Sequence, residues 1–199
     1  MRSFFVAGII LIAAMFAFGQ NEQAPMQEKE INYKDWTYKS IKTGEDVNLR
    51  NFTAGNRVTI VVYYAPWCPN WRFDAPMLQR LYDKYKAKGL GIIAVGLYDP
   101  LDSMKANLDV VKITFPAVYE SAERGAKQTS LHYQYRRYTG DARNWGSPWY
   151  IMITPSVMEA KGDLLTKRTT IINGEMIEKE GDAFIRKNLG LPDVDASPK

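Results

Sequence analysis

The stretch RVTIVVYYAPWCPNWRFDAP, residues 57–76, decides how the rest of the chain is read. Its first eight residues are a continuous β-branched and aromatic run, the pattern of a strand covered on both faces. Pro66-Trp67-Cys68-Pro69 breaks that strand. Residues 70–88 then place apolar side chains at Phe73, Met77, Leu78, Leu81, Tyr82 and Tyr85, the spacing of an amphipathic helix, and Gly89 supplies its stop. Cys68, the only cysteine among 199 residues, therefore sits where a buried strand meets a helix N-terminus. Unpaired backbone N–H groups and the positive end of the helix dipole favour negative charge there, and the thiolate is the reactive form of cysteine. Pro69 brings no N–H to this first turn and presets its backbone angle.

Outward from this segment the pattern repeats. Residues 90–97 (LGIIAVGL) read as a second buried strand, and Asp99-Pro100 opens a helix that runs to about Val111. Strand, helix, strand, helix implies a parallel β-α-β core. Upstream, 36–41 and 47–49 alternate around the turn Lys42-Thr43-Gly44-Glu45 and predict a β-hairpin. Downstream the spacing predicts a short strand at 113–119, a helix at 122–138 and a loop at 139–146. A strand follows at 149–154, then a turn at 158–163, a partner strand at 164–172 and a closing helix at 182–189. The fold class expected is α/β, a mixed central sheet flanked by helices.

The ends are read from composition. Met1-Arg2, the apolar run 3–18 and the small residues Ala17 and Gly19 predict a signal peptide over 1–19, removed on export to the periplasm or the outside; an uncleaved anchor is the alternative. Residues 20–30, rich in Gln, Glu and Asn, predict a disordered leader, 31–190 a single domain, and 191–199 a polar tail. A formal charge of +4 is too mild for a nucleic-acid binder, and no nucleic-acid partner is expected. No membrane contact is expected once the signal is cut. In an oxidising compartment structural disulfides come in pairs, so a lone thiol is reactive, shared between chains, or an inert small hydrophobe.

Residues 61–76, VVYYAPWCPNWRFDAP, resemble the active-site segment of the TlpA-like (ResA-like) exported thioredoxin-fold oxidoreductases. That family reads Trp-Cys-x-x-Cys, a basic residue, two positions ending in an acid, and a proline. Trp67, Cys68, Arg72, Asp74 and Pro76 fall in register, and the likeness runs in order over about 36–189. It implies a thioredoxin-like fold, Cys68 as attacking thiol and Asp74 as the buried acid that tunes it. Pro148 would be a cis proline beside the sulfur, with Ser147 pairing to bound peptide. Trp67, Pro69, Trp71, Ser147 and Pro148 would form the substrate-facing surface. The departure is Trp71, which stands where the family has its resolving cysteine. Cys68 could still form a mixed disulfide, but release would need a thiol from a partner protein or a small molecule.

Two readings stay open: a one-cysteine thiol-disulfide oxidoreductase, and a non-catalytic module that holds a partner in the thioredoxin groove. Asp74 could equally be a surface carboxylate paired with Arg72 or Arg80. His132, the only histidine, is expected on a surface or half-buried helix face. One cysteine and one histidine make no copper set, Cys-x-x-Cys-His is absent, and no metal or cofactor is expected. A peroxidase would want Thr or Ser three residues before its cysteine, and that position is Ala65. The aromatic and basic run LHYQYRRYTGDARNWGSPWY, 131–150, is the candidate wall of a partner groove.

Overall fold

The computed structural model describes residues 22–192; the expected signal peptide, and the tail from 193 on, lie outside them. The buried run becomes β5 (Val58–Tyr64), every residue of it buried. It pairs in parallel with β6 (Leu90–Gly96), which pairs in parallel with β7 (Ala117–Tyr119). On its other side β5 meets β8 (Trp149–Ile153) antiparallel, and β8 meets β9 (Arg168–Ile172) antiparallel. The expected hairpin forms from β3 (Thr37–Ser40) and β4 (Asp46–Asn48), and it extends the sheet beyond β7. With β2 (Gln27–Glu30) on β9, the order is β2-β9-β8-β5-β6-β7-β3-β4, a mixed sheet. The period-2 alternation of β5 divides the core. Ile60, Val62 and Tyr64 face α2 (Pro69–Tyr85) and α5 (Glu178–Leu189), while Val61 and Tyr63 face Trp36, Tyr135 and Trp149.

Several expectations are corrected. The leader expected to be disordered is ordered from residue 22: β2 pairs with β9, and β1 (Gln23–Ala24) runs parallel to β10 (Glu175–Met176). Its polar side chains suit an edge strand, whose backbone hydrogen bonds need no apolar payload. Leu49 opens a short helix, α1 (Leu49–Ala54), capped by the Asn48 side chain, instead of continuing the hairpin. The helix expected over 122–138 breaks at Ser130 into a 3-10 segment (Arg124–Thr129) and α4 (Leu131–Tyr138), because the Ser130 hydroxyl accepts from Tyr133 N and caps α4. Phe73, counted on the apolar face of α2, is 75% exposed, and Trp71 takes the inward place. The helix α3 (Leu101–Val111) falls where Asp99-Pro100 placed it.

Candidate active site around Cys68

Cys68 is the residue immediately before α2, in extended backbone, and Pro69 is that helix's first residue. The sulfur is held from across the sheet: Cys68 Sγ donates to the Ser147 carbonyl at 3.2 Å. The Ser147–Pro148 peptide bond is cis, and the Ser147 hydroxyl accepts from Ala65 N at 2.9 Å. One serine thus ties the end of β5 to the thiol. Cys68 is buried, 7% exposed as a residue.

Asp74 lies one and a half turns into α2 and is buried, which excludes the surface-carboxylate reading. Both of its hydrogen bonds fall on Oδ2, from Tyr150 Oη and from Met176 N at 3.0 Å. Burial pushes its pKa up to about 7 against the pull of those two donors, and Glu175 adds to the rise. Asp74 also lines a cavity of about 300 Å3 with Pro69, Phe73, Met77 and Glu175, so a proton has a way out to solvent.

Trp71 does not belong to the substrate-facing surface. It has no solvent exposure, stacks on Tyr64 at 4.4 Å between ring centroids, and donates from Nε1 to Asn107 Oδ1 at 2.9 Å. Asn107 in turn donates to the Pro66 carbonyl at 3.1 Å, linking α3 through Trp71 to the loop that carries Cys68. Pro69 is exposed and Trp67 half-buried, the latter edge-on to Trp145 at 5.1 Å.

The proline loop rests on a polar network. His132 is fully buried on α4, a correction to the surface reading: the ring bonds Tyr98 Oη at 2.8 Å and the Gly146 carbonyl at 3.1 Å, and stacks on Tyr63. Burial, with Arg136 nearby, holds its pKa well below the usual histidine value. Buried Arg136 donates to the carbonyls of Arg143 and Asn144 and lies 4.0 Å from Asp141. Gly146 has φ +60°, and a Cβ there would stand 2.4 Å from Arg136 Cδ, so both backbone and space demand glycine. Arg143 chelates Asp141 and donates to the Pro148 carbonyl at 2.8 Å and the Ser147 carbonyl at 3.4 Å. The oxygen that receives the thiol therefore also faces a guanidinium. Asn107 lies 36 residues from Trp71 and Tyr150 lies 76 from Asp74 in sequence, and no local motif announces either.

A buried β-α-β core, a thiol at the helix N-terminus and a cis proline facing it define a thioredoxin-fold protein. The AhpC/TSA family matches residues 29–172, and the chain belongs to that family. Among curated proteins it is 27% identical over 81 residues to sporulation thiol-disulfide oxidoreductase A of Bacillus subtilis (strain 168), covering 39% of this chain and 47% of that one. It is 26% identical over 137 residues to thioredoxin-like protein YneN of the same organism, covering 64% and 78%. The chain thus spans about half the length of the first of these relatives. Among solved structures, a putative thiol:disulfide interchange protein DsbE from Chlorobium tepidum has a TM-score of 0.56 at 21% identity, covering 81% of this chain and 98% of that one. These relatives agree with the TlpA-like (ResA-like) character of the Cys68 segment. No helix among the described residues is long and apolar enough to cross a membrane.

Proposed function

We propose that this protein is an exported one-cysteine thiol-disulfide oxidoreductase in which Cys68 exchanges with thiols or disulfides of proteins or small molecules. The observation that carries the reading is the place of Cys68, the residue before α2, with its sulfur 3.2 Å from the carbonyl that precedes the cis Pro148. It sets a lone sulfur just ahead of a helix, beside the backbone at which a partner peptide would pair. Asp74, close to half-protonated near neutrality, supplies or takes the proton through its cavity. Trp71 occupies the position of the resolving cysteine, so the mixed disulfide is released by an outside thiol. The named activity of the curated relatives supports the class of chemistry. Export rests on the N-terminal sequence and on the secreted character of structural neighbours such as a thiol-disulfide isomerase from Corynebacterium glutamicum.

A second reading, a binding module, draws on the low exposure of the thiol and the tight packing of Trp71. Alkylation of Cys68 by iodoacetamide across pH separates the two. Exchange requires labelling of the folded chain with a pH profile that Asp74→Asn displaces. A thiol labelled only on unfolding leaves the binding module standing.

A further inference from the structure

Two cations sit on indole rings of the segments that meet at Cys68. The Arg124 guanidinium lies 5.1 Å from the Trp67 ring centroid, and Lys127 Nζ lies 4.6 Å from that of Trp145. The two indoles touch each other at 5.1 Å. Trp67 precedes Cys68 in the chain, and Trp145 precedes by two residues the Ser147 whose carbonyl holds the sulfur. The cations are thus anchored to the two segments that meet at the thiol.

Their charge is not spent. Arg124 is exposed and makes no side-chain hydrogen bond or ion pair among the described residues, and the Lys127 ammonium donates, among them, only to the uncharged Asn144, at 3.0 and 3.3 Å. The acids that might have neutralised them are committed elsewhere. Glu120 turns inward to accept from Leu131 N and His132 N at the start of α4, and Asp141 is held by Arg143. Glu123, next in sequence, pairs with neither cation among the described residues. A guanidinium laid flat on an aromatic ring keeps its N–H fork free for a carboxylate.

We propose that this basic aromatic rim selects the substrates of Cys68, favouring disulfides and thiols that carry a carboxylate close to sulfur; the inference rests on the exchange reading above. In the step concerned, the Cys68 thiolate attacks one sulfur of an acidic disulfide. A new sulfur–sulfur bond forms to Cys68 while the substrate's own bond breaks, and the electron pair leaves on the departing thiolate, which takes a proton from water.

The test compares rates of mixed-disulfide formation with 3,3′-dithiodipropionate (anionic), 2-hydroxyethyl disulfide (neutral) and cystamine (cationic). Each rate is divided by that of 2-mercaptoethanol with the same compound, which removes differences in intrinsic reactivity. At low ionic strength the anionic disulfide is expected to lead the neutral one by about tenfold and the cationic one to trail. The spread should shrink in about 0.5 M salt, where charges are screened within a few ångströms. In the double variant Arg124→Glu, Lys127→Glu the ranking should reverse. Equal normalised rates insensitive to salt, or a ranking unchanged in the double variant, overturn the proposal while leaving exchange at Cys68 intact. No reaction with any of the three, together with no iodoacetamide labelling of the folded chain, removes the exchange reading and the proposal together.

Discussion

On the α2 side of Cys68, Trp71, Tyr64 and Met77 belong to an apolar core with buried Asp74 and Glu175 beside it, whereas on the proline-loop side Arg136, Asp141, His132 and Ser130 are all buried within one short segment. The first side is hydrophobic packing with two buried carboxyl groups at its margin. The second is a hydrogen-bonded frame tied to the backbone carbonyls of 143, 144 and 146, which leads into the Ser147 carbonyl that faces the sulfur. The contrast teaches that position and reactivity of the thiol come from different sides. The apolar side holds the helix and its acid, and the polar side aims the backbone that faces the sulfur.

The contrast is easiest to break from the apolar side. Trp71→Ala should cost about 4 kcal/mol, since it leaves a large cavity and orphans Asn107, and chemical denaturation would read the loss. On the polar side Arg136→Ala should cost about 3 kcal/mol. Arg136→Lys should not restore it, because an ammonium lacks the planar fork that reaches two carbonyls. A result below about 1 kcal/mol for Arg136→Ala would show that the polar frame is decoration. Gly146→Ala should cost about 2 kcal/mol from its positive φ and its contact with Arg136, and it should also change the rate of Cys68 alkylation. A change in stability with alkylation untouched would uncouple the frame from the thiol.

Dependence on pH sharpens the comparison, because Asp74 on one side and His132 on the other titrate in opposite senses. Asp74 titrates near 7 in the folded chain and at about 3.9 when unfolded. Between those values the folded chain holds the extra proton, and stability falls as pH rises. Glu120, raised by burial to about 7, adds to the same slope from the polar side. His132 is kept neutral, so below about 6.5 the unfolded chain takes a proton that the folded chain refuses, and stability falls as pH drops. In urea denaturation from pH 4 to 8, Asp74→Asn should remove up to about 1.4 kcal/mol per pH unit of the descending slope. His132→Gln should remove the loss on the acid side and leave the Asp74 slope in place.

The apolar side was legible in sequence because its signals are local. A β-branched run, a proline, a cysteine and a helical period fall within twenty residues, and the family likeness names Asp74 at a fixed offset from Cys68. The helical period did mislead over Phe73 and Trp71, which stand two residues apart on different faces. The period alone does not say which of two aromatics points inward when the helix begins at a site loop. The polar side was not legible. His132 read as surface or half-buried because its partners are a backbone carbonyl and a tyrosine brought to it by the fold, and the carbonyls that hold Arg136 are equally silent in sequence. A sequence signals a buried charge only through its partner, and here the partner groups carry no side-chain signature. The ordered leader escaped for a related reason: an edge strand is stabilised by main-chain pairing, which composition does not report.

The hydrogen bond from Cys68 to the Ser147 carbonyl exists only while the sulfur carries its hydrogen. Joining the sulfur to a partner forfeits that bond, so the free thiol is favoured over the adduct by whatever the bond is worth. About 1 kcal/mol, a usual net value, would shift the equilibrium roughly fivefold toward discharge. For a chain with no second thiol, the contact that half-hides the sulfur also biases it toward letting go, and the lifetime of a captured partner is then set by how much free thiol surrounds it.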